Sequence, residues 1–469
     1  MNTTLRPYEH YVDMGLPLAQ RYPGHWALQR IKFLFNERSE KGFPDEPLLA
    51  SSQSHGVIAK SDYATRTVEA QKDLHLLKLV EIGDYVISLR SFQGGIEYSH
   101  ARGIISPAYT VLAPGPMSQR GYFEHLFKSA PFVGSMSLYV TGIREGQNID
   151  YVRLSREYIP VPPPDEQESI GRFIRYIDLR VNRLIKAKKR LIELLNEQKQ
   201  AIIHQAVTRG LDPDVPMKPG GEVWPGTTVP RHWHLHRLKD ICTIQSGLTL
   251  GKQYLVSDGT EYPYLRVANV QAERLSLKDV KTLRLPSTEA GRRMLRYGDL
   301  LLTEGGDPDK LGRACIWRGE IHNCLHQNHV FALRCYQNAM PEYVQMLLNS
   351  SHGRLYFERT AKQTTNLAAT NKSMVYAFAV YLPTPLEQAA IVEYVSQAVA
   401  GIDHVLGTAS SEINLLREYR TRLVADVVTG QLDVRHLQLA DVPEVEESCT
   451  DDESDDSEAI GEQDSLELE

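Results

Sequence analysis

The sequence predicts an α+β protein. Two mixed α/β domains are joined by two long helices forming an antiparallel coiled coil, and the whole is an internal duplication with a pseudo-two-fold. Three observations carry this. A motif-bearing block recurs without a gap at an offset of 221 residues. Each copy of that block is a helical pattern of roughly 40 residues, well beyond the usual 10–14. The segment ahead of each copy mixes short strand and helix patterns separated by Gly and Pro turns.

The duplication sets the order of elements. Pro162-Pro163-Pro164-Asp165-Glu166-Gln167 matches Pro383-Thr384-Pro385-Leu386-Glu387-Gln388. The same offset brings Ile170 onto Ile391, Leu194-Leu195 onto Leu415-Leu416, Val207-Thr208 onto Val428-Thr429, and Leu211-Asp212 onto Leu432-Asp433. Upstream, His25-Trp26 matches His232-Trp233 and Gly83-Asp84 matches Gly298-Asp299, with a drifting offset that marks loops of different length. The expected divisions are a first domain over 1–158, a spacer helix over 159–210, a Pro- and Gly-rich linker over 211–231, a second domain over 232–381, a second spacer over 382–435, and an acidic tail over 436–469.

The spacers read as helices because no Pro interrupts Glu166 to Arg209, and apolar residues recur four and three apart. The first seam is Ile170, Ile174, Ile177, Val181, Leu184, Lys188, Leu191, Leu195 and Ile202, and the second includes Ile391, Val395, Ala398, Ile402, Val405, Ala409, Leu416 and Leu423. Such spacing is a coiled-coil seam. Duplicated halves place their helices head to tail, so Lys188 is expected opposite Glu412 as a buried polar pair that fixes register. Leu191 then faces Ala409, Leu184 faces Leu416, and Leu195 faces Val405. Within the domains, Tyr85–Leu89, Ala108–Leu112, Leu300–Thr303 and His329–Leu333 read as strands, and Tyr122–Lys128 and Pro341–Asn349 as helices.

Composition bounds the function. The net charge is −7, but residues 441–469 hold 14 Asp and Glu and no Lys or Arg, so the rest is near +7. A mildly basic body can approach nucleic acid, and the acidic, apolar-poor tail reads as disordered. The five cysteines lack CxxC spacing, which suits a reducing compartment. No apolar run of about 18 residues is present, and the N-terminus lacks a signal-peptide pattern. A cytoplasmic bacterial or archaeal protein is expected.

In this order the motifs resemble the specificity subunits of type I restriction–modification systems. Ile159-Pro160-Val161-Pro162-Pro163-Pro164-Asp165-Glu166-Gln167 is similar to the family's step into its first spacer. Thr208-Arg209-Gly210-Leu211-Asp212, then Trp224, Pro230 and His232-Trp233, is similar to its crossing into the second target-recognition domain. Ser106-Pro107-Ala108-Tyr109 and Gln327-Asn328-His329-Val330 resemble strand entries of these domains. The resemblance implies a non-catalytic, sequence-specific DNA-binding chain that reads a bipartite site in double-stranded DNA and scaffolds methyltransferase (modification) subunits and a restriction/translocase subunit. S-adenosylmethionine, ATP and Mg are then expected on those partners and no cofactor in this chain. No membrane partner is expected.

Candidate DNA-contacting residues follow from side-chain chemistry. Arg can bond guanine twice and Gln can bond adenine twice, and Gly lets backbone approach closely. Arg90, Gln93 and Gly94 combine these after a strand; a solvated turn would use the same residues. The matching place in the second half offers Lys310 and Arg313, with Arg266, Asn269 and Lys372 as further candidates. His232, His234 and His236, and the group His322, Cys324, His326 and His329, lack paired zinc-site spacing and read as strand histidines near a nucleic-acid surface. No catalytic residue is expected. Pro162-Pro163-Pro164-Asp165 lacks the flanking Asn or Asp and aromatic of an amino-methyltransferase, and no Walker string exists. The alternative reading is a coiled-coil interaction protein without a DNA role, which leaves the duplicated variable domains unexplained.

Overall fold

Period-two strands buried on both faces build each variable half. The computed structural model describes residues 5–437 and 439, apart from 14, 16–19, 64–72, 142–147, 250–258, 307–310 and 364–367. It divides into Met1–Ile185 with Asn414–Glu469, and Lys186–Ile413. Lys310 and the acidic segment 441–469 lie outside the described residues.

In the first unit, β1 (Ala27–Arg30) leads to β2 (Phe35–Arg38). A hairpin follows, β3 (Leu49–Ser52) and β4 (Gly56–Ala59). Then come β5 (Tyr85–Ile87), the helical turn α1 (Ser91–Gly94), β6 (Glu97–Tyr98) and β7 (Thr110–Pro114). Helices α2 (Arg120–Leu126) and α3 (Ala130–Met136) precede β8 (Tyr158–Val161) and the long helix α4 (Pro164–Arg209). The sheet order is β2-β7-β5-β6, all antiparallel. Alternate residues enter different cores. Tyr85, Ile87 and Leu112 pack with Phe123, Phe127, Ile170 and Ile174. Val86 and Val111 pack with Leu49, Val57 and Ile105. Each such burial stabilises by roughly 1.5–3 kcal/mol.

The second unit repeats the plan with β9 (His234–Arg237), β10 (Cys242–Ser246), β11 (Leu300–Thr303), β12 (Ala314–Ile316) and β13 (Val330–Cys335). Helices α5 (Pro341–Asn349), α6 (Ser351–Thr360) and α7 (Lys372–Ala377) follow, then β14 (Ala379–Leu382) and the long helix α8 (Pro385–Val428). The sheet order β10-β13-β11-β12 matches the first. Leu300, Leu302, Phe331 and Leu333 pack with Val344, Leu347, Ile391 and Val395. Leu301, Val330, Ala332 and Cys315 pack with Leu265 and Trp317. In each unit the strand ahead of the sheet pairs with the strand ahead of the long helix, β1 with β8 and β9 with β14. The expected linker 211–231 contains its own ribbon, Met217–Pro219 paired with Thr228–Pro230.

The duplicated Glu-Gln dipeptide fastens each domain to the helix that follows it. Gln167 donates to the carbonyls of Pro162 and Met117 and accepts from the Gln119 amide, at 2.9–3.1 Å. Gln388 donates to Pro383 and Asn338 and accepts from Met340, at 2.7–2.9 Å. Glu166 accepts from Trp26 Nε1 at 3.0 Å and lies 2.7 Å from His25 Nε2; Glu387 accepts from Trp233 Nε1 at 2.9 Å and lies 2.9 Å from His232 Nε2. Both helices end on a glycine, Gly210 and Gly430, each at φ +73. A side chain would strain that left-handed position.

The helices pair antiparallel. In the second unit Lys188 meets Glu412 at 2.5 Å and Lys199 meets Asp403 at 2.9 Å, so position rises along α4 as it falls along α8. In the first, Arg420 grips Asp178 with two bonds of 2.7 and 2.9 Å. Lys199 and Arg420 are themselves counterparts at the 221 offset. Two expectations need correction. Leu184 and Leu191 are 47% and 40% exposed, and Val405 is exposed too, while Ile185, Ile192 and Leu406 are half-buried in their stead. A helix with 3.6 residues per turn drifts about 20° per heptad from a strict 3.5 repeat. Over three heptads that drift reaches about 60°, past half of the roughly 100° step to the next residue. The Lys188–Glu412 pair, in turn, is not buried: its side chains are 27% and 47% exposed. It therefore ranks with rim pairs worth about 0–1 kcal/mol.

Candidate nucleic-acid interface

The segment carrying Arg90 and Gln93 is built for rigidity. Ser91 Oγ accepts from the Ser88 amide at 2.8 Å, and the Gly95 amide donates to Ser91 O at 2.8 Å. The expected loop is thus the helical turn α1, and it presents Arg90 and Gln93 to solvent. Gly94 does not offer open backbone. A Cβ there would lie 2.4 Å from Gln53 Cδ, so the glycine seats α1 against the β3–β4 turn. Beneath it, Lys128 Nζ donates to Gly94 O at 3.0 Å, to Gln53 O at 3.1 Å and to Glu97 Oε1 at 2.5 Å. Burial pushes the Glu97 carboxyl up to about 7, against the pull of Lys128.

In the second unit the candidates fall into structural roles. Asn269 is buried; it accepts from the Arg266 amide at 2.8 Å and donates to Ser276 O and Asp279 O at 2.8 and 3.0 Å. It closes a turn and cannot also read a base edge. Arg266 binds the Asp279 carboxylate at 2.6 Å, and that bond, with Lys281, holds the carboxyl below its ordinary value. Arg313 reaches Gln271 at 3.1 Å. Two residues on, Glu273 takes Lys199 of α4 at 2.7 Å. Of these candidates Lys372 remains on the surface, its Nζ 5.4 Å from the Tyr376 ring centre. Lys310 lies outside the described residues; nearby in sequence, Gly305–Gly306, Ala368–Ala369 and Lys362–Gln363 form one small sheet.

The histidines divide likewise. His326 is fully buried, its Nδ1 2.6 Å from Val330 O, and burial holds its pKa down. It is a core residue, not a surface one. His329 pairs with Glu304 at 3.0 Å, and His232 with Glu387. Among the described residues no group of three or more His, Cys, Asp or Glu is placed to hold a metal ion, and no helix is long and apolar enough to cross a membrane. Two residues that the sequence did not single out, Gln53 and Lys128, pack against α1. Neither lies in a recognisable motif, and only the packing of the β3–β4 turn on α1 brings them to Gly94.

No family model matches the chain. It is 24% identical over 330 residues to the type I restriction enzyme EcoKI specificity subunit of Escherichia coli (strain K12), covering 69% of this chain and 68% of that one. A protein of Methanocaldococcus jannaschii, named as a candidate type I restriction enzyme MjaX specificity subunit, is 22% identical over 223 residues. That match covers 47% of this chain and about half (51%) of the relative. Among solved structures, one from work on complex assembly and conformational transition of the type I R-M system aligns with a TM-score of 0.63 at 14% identity. It covers 87% of this chain and 99% of that one, and shows that the fold is shared. In its sequence and in its fold of duplicated domains and long spacer helices, the chain is similar to the specificity subunits of type I restriction–modification systems.

Proposed function

We propose that the chain reads a divided site in double-stranded DNA, residues 1–158 taking one half and residues 232–381 the other, and that it scaffolds the subunits that modify and cut DNA. As a specificity subunit it is not itself the enzyme; catalysis belongs to partners. One observation carries the reading. The duplication extends to atomic detail, with the Trp-Glu, His-Glu and Gln-carbonyl bonds repeated around Glu166-Gln167 and Glu387-Gln388. Two domains with the same scaffold, the same anchor and different surfaces are what reading two different half-sites requires.

The partners proposed are methyltransferase subunits, which would carry S-adenosylmethionine, and a restriction/translocase subunit, which would use ATP and Mg. The outward faces of the spacers suit such docking: Leu184, Leu191, Leu194, Leu415 and Tyr419 are all exposed large apolar side chains. The deciding experiment exchanges residues 1–158 for the equivalent domain of a relative and maps methylated positions in a host carrying the full system. One half of the motif should change and the other persist. A change in both halves, or methyl transfer by the purified single chain, would sink the proposal.

A further inference from the structure

We propose that Gln53 is a further specificity-determining residue of the first domain, and that Lys128 positions it together with Arg90 and Gln93. This rests on the reading of α1 as a DNA-contacting element. Gln53 and α1 lie far apart in sequence, on different turns, yet form one surface. The Gln53 side chain occupies the space a Gly94 Cβ would need, with Cδ, Cγ and Nε2 at 2.4–2.7 Å from that position. It is exposed, as Arg90 and Gln93 are. Its amide carries the donor and acceptor pair that can bond adenine twice in the major groove.

The two turns are held by a shared cation. Lys128 lies between α2 and α3, and its three donors go to Gly94 O, Gln53 O and Glu97 Oε1. An ammonium has three donors and no acceptor, so these bonds fill it. Glu97 is its counter-charge, buried in β6. The base of α1 is fixed as well: a Cβ on Gly95, at φ +88, would lie 2.2 Å from Phe127 O, one residue before Lys128. Lys128 touches no base in this scheme. It sets the distance between the Gln53 turn and the Arg90–Gln93 turn, and a reading surface must be held closely to discriminate.

The test uses the full chain assembled with its methyltransferase subunits, mapping methylated positions and measuring affinity for the cognate DNA. Gln53→Ala should relax one position of a single half-site about tenfold or more, the range for losing a bidentate base contact. Lys128→Met should weaken cognate binding about tenfold and blur the same half-site, and Lys128→Arg should restore part of it. Arg90→Ala and Gln93→Ala serve as controls on that half-site. If the controls act while Gln53→Ala leaves the motif unchanged and Lys128→Met shifts affinity less than twofold, the inference is wrong and the DNA role of α1 stands. If none of the four acts, the reading of α1 falls and the inference with it. Should Lys128→Met fail to fold, the surface change Gln53→Ala still decides the matter.

Discussion

Removing the same glutamate from the two copies should not have the same consequence. Glu166 is 2% exposed and accepts from two buried donors, Trp26 Nε1 at 3.0 Å and Tyr8 Oη at 2.6 Å. The Tyr8 hydroxyl is raised far above its usual range, by burial first and by Glu166 next. Glu387 is 26% exposed, and among the described residues it takes one buried donor, Trp233 Nε1, besides the exposed His232. Stranding a buried donor costs about 1–3 kcal/mol. Glu166→Ala should therefore cost about 2–6 kcal/mol and Glu387→Ala about 1–3 kcal/mol. For units of this size each kcal/mol lowers Tm by about 2–4 °C. Calorimetry of the full chain, with hydrogen exchange to assign each transition to its unit, measures both. In a Tyr8→Phe background the cost of Glu166→Ala should fall toward that of Glu387→Ala. Equal losses at the two sites, or no change in the Tyr8→Phe background, would refute the assignment of the difference to the tyrosine.

Three further outcomes are expected. Glu97 has a folded pKa of about 7, above the unfolded value near 4.3. Its contribution to stability is thus present below about pH 4 and lost as pH rises through 7; Glu97→Gln should flatten the Tm–pH slope across that window, and an unchanged slope would count against burial as the cause. Asn269→Ala should cost about 1–3 kcal/mol in a denaturant titration and leave the methylation motif intact; an altered motif would return Asn269 to the DNA surface. Inserting seven residues into both spacers near Lys188 and Glu412 should lengthen the unspecified gap by about 3 base pairs, from 1.5 Å per helical residue and 3.4 Å per base pair, whereas three residues should disrupt assembly, and equal tolerance of both would argue against a rigid ruler.

Much of this molecule was legible because duplication writes the same physical requirement twice. The Pro-x-x-x-Glu-Gln blocks, the His-Trp pairs and the Gly-Asp turns stood out by repetition, and each proved to be an anchor or a tight turn whose groups satisfy one another locally or at one fixed place. The antiparallel pairing followed from the duplication, and the meeting of Lys188 with Glu412 from the two charges on otherwise apolar seams. The phase of the seam did not. A heptad read from letters ignores the drift of a real helix, and that drift put Ile185 and Ile192 where Leu184 and Leu191 were expected.

The fold class, the order of domains and the helix register were set by local periodicity and by repetition, which are properties of the sequence itself. Which polar residue keeps its hydrogen-bond capacity unspent was decided by tertiary structure. Arg266 and Asn269 look like ready donors in sequence, yet Asp279 and two carbonyls already take their bonds. Arg38 answers Asp84 from β2, while Asp299 is answered by Arg334 from β13, so even a duplicated turn draws its cation from a different strand. Gln53 sits beside Gly94 only because a hairpin folds back across some forty residues of chain. A side chain's hydrogen-bond capacity is written in its type; whether that capacity is already spent depends on neighbours that only the folded chain brings near.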